Sequence, residues 1–138
     1  MVQVLKKSFL AIAIIIIIIS LIFLLLPKST TSNGLVTASF SKKKASPGET
    51  IYLTVNLKNS LGVDLTDVEV DAVPVDNTSL IVANSQQFED IIGKNEVREF
   101  KFPVMINKEA RAGVYSIKIN SNLKDFKEIR MPIKVIEK

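Results

Sequence analysis

The sequence predicts a mainly-β protein: a seven-stranded antiparallel β-sandwich preceded by one N-terminal transmembrane α-helix. Three observations carry this. Phe9 to Leu26 reads FLAIAIIIIIISLIFLLL, eighteen residues with no charge and only Ser20 weakly polar. Beyond residue 34 the apolar residues recur with a period of two rather than 3.6. Turn signals (Pro47-Gly48, Asn59 to Gly62, Gly93 to Glu96) separate these alternating runs at short intervals.

The apolar stretch comes first. As a helix it would extend roughly 27 Å, near the ~30 Å hydrocarbon core of a bilayer. Ile14 to Ile19 are β-branched and poor helix formers in water. In lipid that preference yields, because a spanning segment must satisfy its own backbone hydrogen bonds. Ala11 and Ala13 are two apart, so no small-xxx-small face invites tight helix pairing. Lys6 and Lys7 flank the run on one side, Pro27 and Lys28 on the other. That balance places the N-terminus inside and the remainder outside a cell membrane. The expected division is an inside tail at 1–8, a transmembrane helix at 9–26, a polar linker at 27–34 and a β-sandwich at 35–138.

Three processing readings remain open. An uncleaved signal anchor is favoured. A cleaved secretory signal would have a shorter apolar core and a small-x-small site soon after it, and Val36-Thr37-Ala38 is too far downstream. A pilin-type leader would be cut between Ser8 and Phe9, after the basic pair Lys6-Lys7. Ala13 stands where bacterial pilins usually carry glutamate, which leaves archaeal pilin-like variants.

Charge is unevenly divided. Residues 1–44 hold six Lys and no acid, while the rest holds 12 basic and 14 acidic residues, a net of −2. The folded part lacks the basic face that nucleic-acid binding needs. There is no Cys and no His. Thiolate zinc sites, disulfides and the commonest general base are therefore excluded.

The strands follow in order. Leu35 to Phe40 is the first, and Pro47-Gly48 turns the chain. Thr50 to Lys58 sends Ile51, Leu53, Val55 and Leu57 to one face. Thr66 to Val73 puts Val68, Val70 and Ala72 inward and Asp67, Glu69 and Asp71 outward. Ser79 to Ala83 and Phe88 to Ile92 are short apolar runs. Val97 to Ile106 directs Phe100, Phe102, Val104 and Ile106 inward, with Pro103 on the outward set marking an edge or bulge. Val114 to Asn120 aligns Tyr115, Ile117 and Ile119. Lys127 to Ile136 closes with Ile129, Met131, Ile133 and Val135. About seven strands in about a hundred residues suit two packed sheets of the immunoglobulin-like kind. Eight to ten inward side chains, at roughly 1.5–3 kcal/mol each, make a core without disulfides.

The segment Ser46-Pro47-Gly48-Glu49-Thr50, leading through Ile51 to Asn59, resembles the opening of the cell-adhesion-related (CARDB-like) and NPCBM-associated immunoglobulin-like domains. Phe88 to Gly93 with Phe100 and Phe102, and Ala110 to Tyr115, resemble two later stretches of the same group. Lys94-Asn95 departs from it, since Pro-Gly is commoner there. The resemblance covers about residues 45–120 and implies a fold found on archaeal and bacterial surfaces, including S-layer-like proteins and archaellum stator-type anchors. It implies no activity.

Candidate functional residues are few. Tyr115 is read as a tyrosine corner, its ring in the core and its hydroxyl turned back to the chain. Asn77-Thr78-Ser79 is an N-glycosylation sequon, so Asn77 is a glycan acceptor if the domain is exported. Asp67, Glu69 and Asp71, with Asp64 and Asp76 nearby, form the one acidic constellation. It lacks the spacing of a calcium loop, so a solvated face opposite Lys58 or Lys118 is favoured over Ca²⁺ binding. Lys42 to Lys44 are read as a solvated edge guard rather than a lipid-headgroup contact. No catalytic, cofactor or metal site is expected. The function expected is a non-enzymatic, membrane-anchored module outside the cell. Its partners would be the lipid bilayer through residues 9–26 and an unidentified surface or membrane protein: an S-layer protein, a filament or motor base, or a membrane complex. Self-assembly as a pilin-like filament subunit is the alternative.

Overall fold

The computed structural model describes residues 36–137. The predicted helix at 9–26 and the Ser8/Phe9 junction lie outside them. Among the described residues no helix is long and apolar enough to cross a membrane.

Nine strands form two sheets. They are β1 (Val36–Phe40), β2 (Lys44–Ala45), β3 (Thr50–Lys58), β4 (Leu65–Pro74), β5 (Leu80–Val82), β6 (Gln86–Ile92), β7 (Val97–Ile106), β8 (Gly113–Ser121) and β9 (Ile129–Val135). One sheet has the order β1-β3-β7-β5 and the other β2-β9-β8-β4-β6. The expectation of seven strands, all antiparallel, is corrected on both counts. Nine are present, and β2 pairs parallel with β9. The two-residue β2 is too short to leave a periodic signal.

The alternating sets are the buried sets. Leu53, Val55, Phe102 and Val104 from the first sheet and Val68, Val70, Ile117 and Ile133 from the second are fully enclosed. In an extended chain, successive side chains leave on opposite faces, so one apolar residue in two is enough to build each inner face. Pro103 lies in the body of the first sheet, opposite Tyr52. Its carbonyl accepts from Ala83 N at 2.9 Å, so its missing N–H falls beside β5, just where that strand ends.

Three turns have a left-handed backbone, at Gly48, Asn84 and Asn95. Gly48 has φ 81° and supplies it without strain. In the β6–β7 turn the task falls to Asn95, at φ 60°, in the stretch where the sequence departs from Pro-Gly. Asn tolerates this conformation better than most side chains. Asn95 N then donates to the Asn59 carbonyl at 2.8 Å.

Asn59 joins the sheets at this end. It follows β3 and is fully buried, yet its amide is wholly used. Nδ2 donates to the carbonyls of Val63, Ile92 and Gly93 at 2.9, 2.9 and 3.1 Å, and Oδ1 accepts from Leu61 N at 3.0 Å. Two N–H groups are thus shared among three carbonyls, from the β3–β4 loop and the end of β6. A buried amide is tolerated only when so satisfied. Replacing Asn59 with Ala leaves these backbone groups unpartnered and is expected to cost roughly 3 kcal/mol in urea unfolding. Asn59→Asp is expected to cost more at pH 7, because a carboxylate would face three carbonyl oxygens. Its deficit should shrink as the pH falls and the carboxyl protonates. Equal loss for both variants at all pH values would show that side-chain volume, not hydrogen bonding, matters there.

Candidate functional site

β6 is the seven-residue edge of the five-stranded sheet. Among the described residues it pairs only with β4, along Leu65↔Ile92 to Asp71↔Gln86. Ala72 N donates to the Ser85 carbonyl at 2.7 Å. Peptide groups alternate in direction along a strand, so those of Gln87 and Glu89 also face β4. Those of Gln86, Phe88 and Asp90 therefore face away from the sheet. At the far end the Ile92 carbonyl is taken by Asn59.

The side chains of β6 divide into two groups. Gln87 and Glu89 reach toward the other sheet. Gln87 Nε2 donates to the Lys101 carbonyl at 2.8 Å, and Glu89 lies 2.8 Å from Arg98 Nε. The Arg98 Nε–H finds no hydrogen-bond acceptor, so this is an ion pair by proximity only, half exposed and worth little. These contacts cover the stretch of β7 that the short β5 leaves unpaired. Phe88, of the opposite parity, points outward and is 63% exposed, and Ile91 is 56% exposed near the strand end.

Asp67 shapes this edge. Its φ of 52° takes it out of the extended conformation, and its pairing with β6 lapses there. Asn122 compensates on the other side. Its Nδ2 donates to the Asp67 carbonyl at 2.8 Å and its Oδ1 accepts from Glu69 N at 3.0 Å, so one side chain extends the ladder beyond β8. The kink carries Leu65 and Val68 to the same inner side, three residues apart.

The acidic constellation is only partly assembled. Glu69 and Asp71 are half-buried beside β6, and Gln86 donates its amide to Glu69. Burial, with the neighbouring Glu69 charge second, pushes the Asp71 carboxyl up, against a hydrogen bond from Gln86. The expected cations are elsewhere. Lys118 stands opposite Val73 and Arg130, and Lys58 is in the other sheet opposite Val97. For Lys58 the reason is topological, since β4 has β8 and β6 as neighbours and not β3; for Lys118, on β8, it is register, since Asp71 faces Asn120 instead. Among the described residues no three acidic, His or Cys side chains come together closely enough to hold a metal.

The other predicted residues fall as follows. Tyr115 is half-buried against the core, and its hydroxyl donates to the Arg111 carbonyl at 2.8 Å, four residues back. Asn77 is exposed in a turn, while the sequon's Ser79 is nearly buried. Lys42 bonds Glu49, and that contact, with the Ser46 N–H second, holds the Glu49 carboxyl below its usual range. Lys43 and Lys44 are exposed.

A cleft of about 320 Å³ opens at the Asn59 end, between Val36, Leu57, Leu61, Leu65, Leu123 and Phe126. Its walls are mainly apolar, with Lys58, Lys124 and Asp125 also lining it. Sequence reasoning missed Asn59, Gln87 and Asn122. The only signal was a polar residue at a strand end or on an inward parity.

No protein-family model matches the chain, and no curated protein matches its sequence. Solved structures do resemble it. The crystal structure of the CARDB domain of PF1109 from Pyrococcus furiosus, in complex with di-metal ions, aligns with a TM-score of 0.51 and 12% identity, over 73% of this chain and 87% of that one. The solution structure of the same domain gives 0.49 and 12%, over 73% and 94%. A family 123 glycoside hydrolase from Clostridium perfringens gives 0.48 and 12%, and there the match covers 74% of this chain but only 27% of the hydrolase. At such identity the likeness to the CARDB domain establishes a shared β-sandwich fold and nothing about activity.

The turn holding Asn77 generates a pH prediction. Asp76 Oδ1 accepts from Thr78 N (2.9 Å) and Thr78 Oγ1 (2.6 Å), and Oδ2 accepts from Ser79 Oγ (2.8 Å). These bonds, the two hydroxyls foremost, lower its carboxyl from 3.8 to about 2. The folded value is depressed, so this stabilisation is present above about pH 4 and lost as the pH falls through about 2. Asp76→Ala is expected to unfold at lower temperature at neutral pH and to show a flatter acid limb in thermal melts. An unchanged acid limb would exclude Asp76 from this role.

Proposed function

We propose that this chain is a membrane-anchored interaction module. The uncharged run at 9–26 would hold it in the bilayer, and the sandwich would work outside the cell by binding another surface or membrane protein. One observation carries the choice of surface. Among the described residues the β6 edge leaves three residues' peptide groups unpaired and exposes Phe88 and Ile91 beside them. Open edges are usually shortened or guarded unless they are used. The CARDB-like fold supports the reading, because such sandwiches serve as scaffolds for contacts at their edges and loops. Nothing among the described residues assembles a nucleophile with a base, so a binding role is preferred to an enzymatic one.

Sidedness is testable because the chain lacks Cys. Asn77→Cys is expected to react with a membrane-impermeant maleimide in intact cells, and Ser8→Cys only after lysis. Labelling of position 77 only after lysis would reverse the topology. An N-terminal mass starting at Phe9 would replace the plain anchor with the pilin-like filament reading. For the surface itself, a photo-crosslinking residue in place of Phe88 is expected to give one discrete adduct in membranes. The same residue at Val114, 69% exposed on β8, should give none. Equal yields at both positions would refute the assignment.

A further inference from the structure

The five-stranded sheet ends in two unlike edges. At one, β2 is two residues long and carries the exposed Lys44, with Lys43 beside it. The strand it borders, β9, contains Pro132 opposite Ser116. The Ser116 carbonyl accepts from Val75 N on the β4 side, so Pro132 turns its nitrogen toward the β2 edge. Short length, Lys and Pro are the usual guards against strand addition. At the other edge β6 has seven residues, no Pro, no Lys and no Gly. Among the described residues one edge of this sheet is guarded and the other is open.

Charge separates along the same axis. The outer face near β2 carries Lys44, Lys134 and Arg130, with Lys118 on the central β8. The outer face near β6 carries Glu69, Asp71 and Asp90. None of these three carboxylates makes an ion pair among the described residues. Glu69 lies directly opposite Phe88, so an apolar side chain and a carboxylate stand side by side at the open edge.

We infer that β6 accepts a partner's extended segment as a sixth strand of this sheet, one in which Lys or Arg alternates with apolar residues. Backbone hydrogen bonds to Gln86, Phe88 and Asp90 would give the affinity. Its basic residues would fall on the outer face, beside Phe88, Asp90 and the carboxylates of β4, and its apolar residues would turn to the opposite face. This rests on the reading of the domain as an interaction module. A second copy pairing through its own β6 would set carboxylates against carboxylates, which disfavours that occupant.

The test uses the full-length protein in detergent micelles and three labelled seven-residue peptides. One alternates Lys and Val, one has the same charge with Pro at its centre, and one alternates Glu and Val. The Lys/Val peptide is expected to bind roughly tenfold more tightly than the Pro-interrupted one, and the Glu/Val peptide not at all. Phe88→Lys should weaken Lys/Val binding roughly tenfold by blocking the edge, with an unchanged circular dichroism spectrum. Equal binding of the Lys/Val and Pro peptides, or indifference to Phe88→Lys, would overturn the inference. So would a peptide-free dimer, in sedimentation, that Phe88→Lys disrupts. If no peptide binds while position 88 still cross-links in membranes, the basic-strand inference fails and the interaction module stands. If neither occurs, both fail.

Discussion

The buried amide of Asn59 is the contact on which this end of the sandwich depends. It sits after the last residue of β3, in one sheet, and holds carbonyls of the β3–β4 loop and of β6, in the other. A hydrophobic core is non-directional and fixes no loop path by itself. Four hydrogen bonds from one enclosed side chain do fix one. They set where β3 hands the chain to β4 and where β6 stops, and so they set the length of the open edge. Asn95 adds to this by donating its backbone N–H to the Asn59 carbonyl.

The same economy appears in the two sheets' borders. Gln87 and Asn122 are ordinary polar side chains that stand in for missing strands. One caps β7 where β5 ends, and the other continues β8 past Ser121 along β4. Each lets a strand stop early without stranding peptide groups in a dry interior. The left-handed Asp67 belongs to this arrangement, because its carbonyl is the one Asn122 receives. Among the described residues the outward peptide groups of Gln86, Phe88 and Asp90 in β6 have no such substitute.

Much of the fold was legible in the sequence, for a physical reason. Ile51, Leu53, Val55 and Leu57, and Phe100 through Ile106, alternate because each strand has one dry face. Such a pattern survives without knowledge of neighbours. What was not legible depends on neighbours. The two-residue β2 exists only because β9 lies beside it. Phe88 reads as a core residue by type, yet its parity against Glu69 puts it outside. Lys58 is separated from the acidic strand by the strand order, and Lys118, on the neighbouring β8, is offset from it by register, opposite Val73. Gln87 and Asn122 look like solvated polar residues until the carbonyls they satisfy are in place. For the candidate surface, the strand was visible in the sequence, but its being an edge was not.

The parallel pairing of β2 with β9 has a mechanical consequence. β2 lies near the start of the described chain and β9 at its close, and Ile136 N bonds the Ala45 carbonyl at 2.9 Å. Two parallel strands from opposite ends of a chain are pulled in opposite directions when the ends are drawn apart. Their hydrogen bonds are then loaded together, in shear, rather than one after another as in an antiparallel hairpin opened from its free end. The small β2 clasp thus lies, behind β1, on the path of tension between the two ends of the described chain. It makes the sandwich resist stretching by a contact that contributes little to its core.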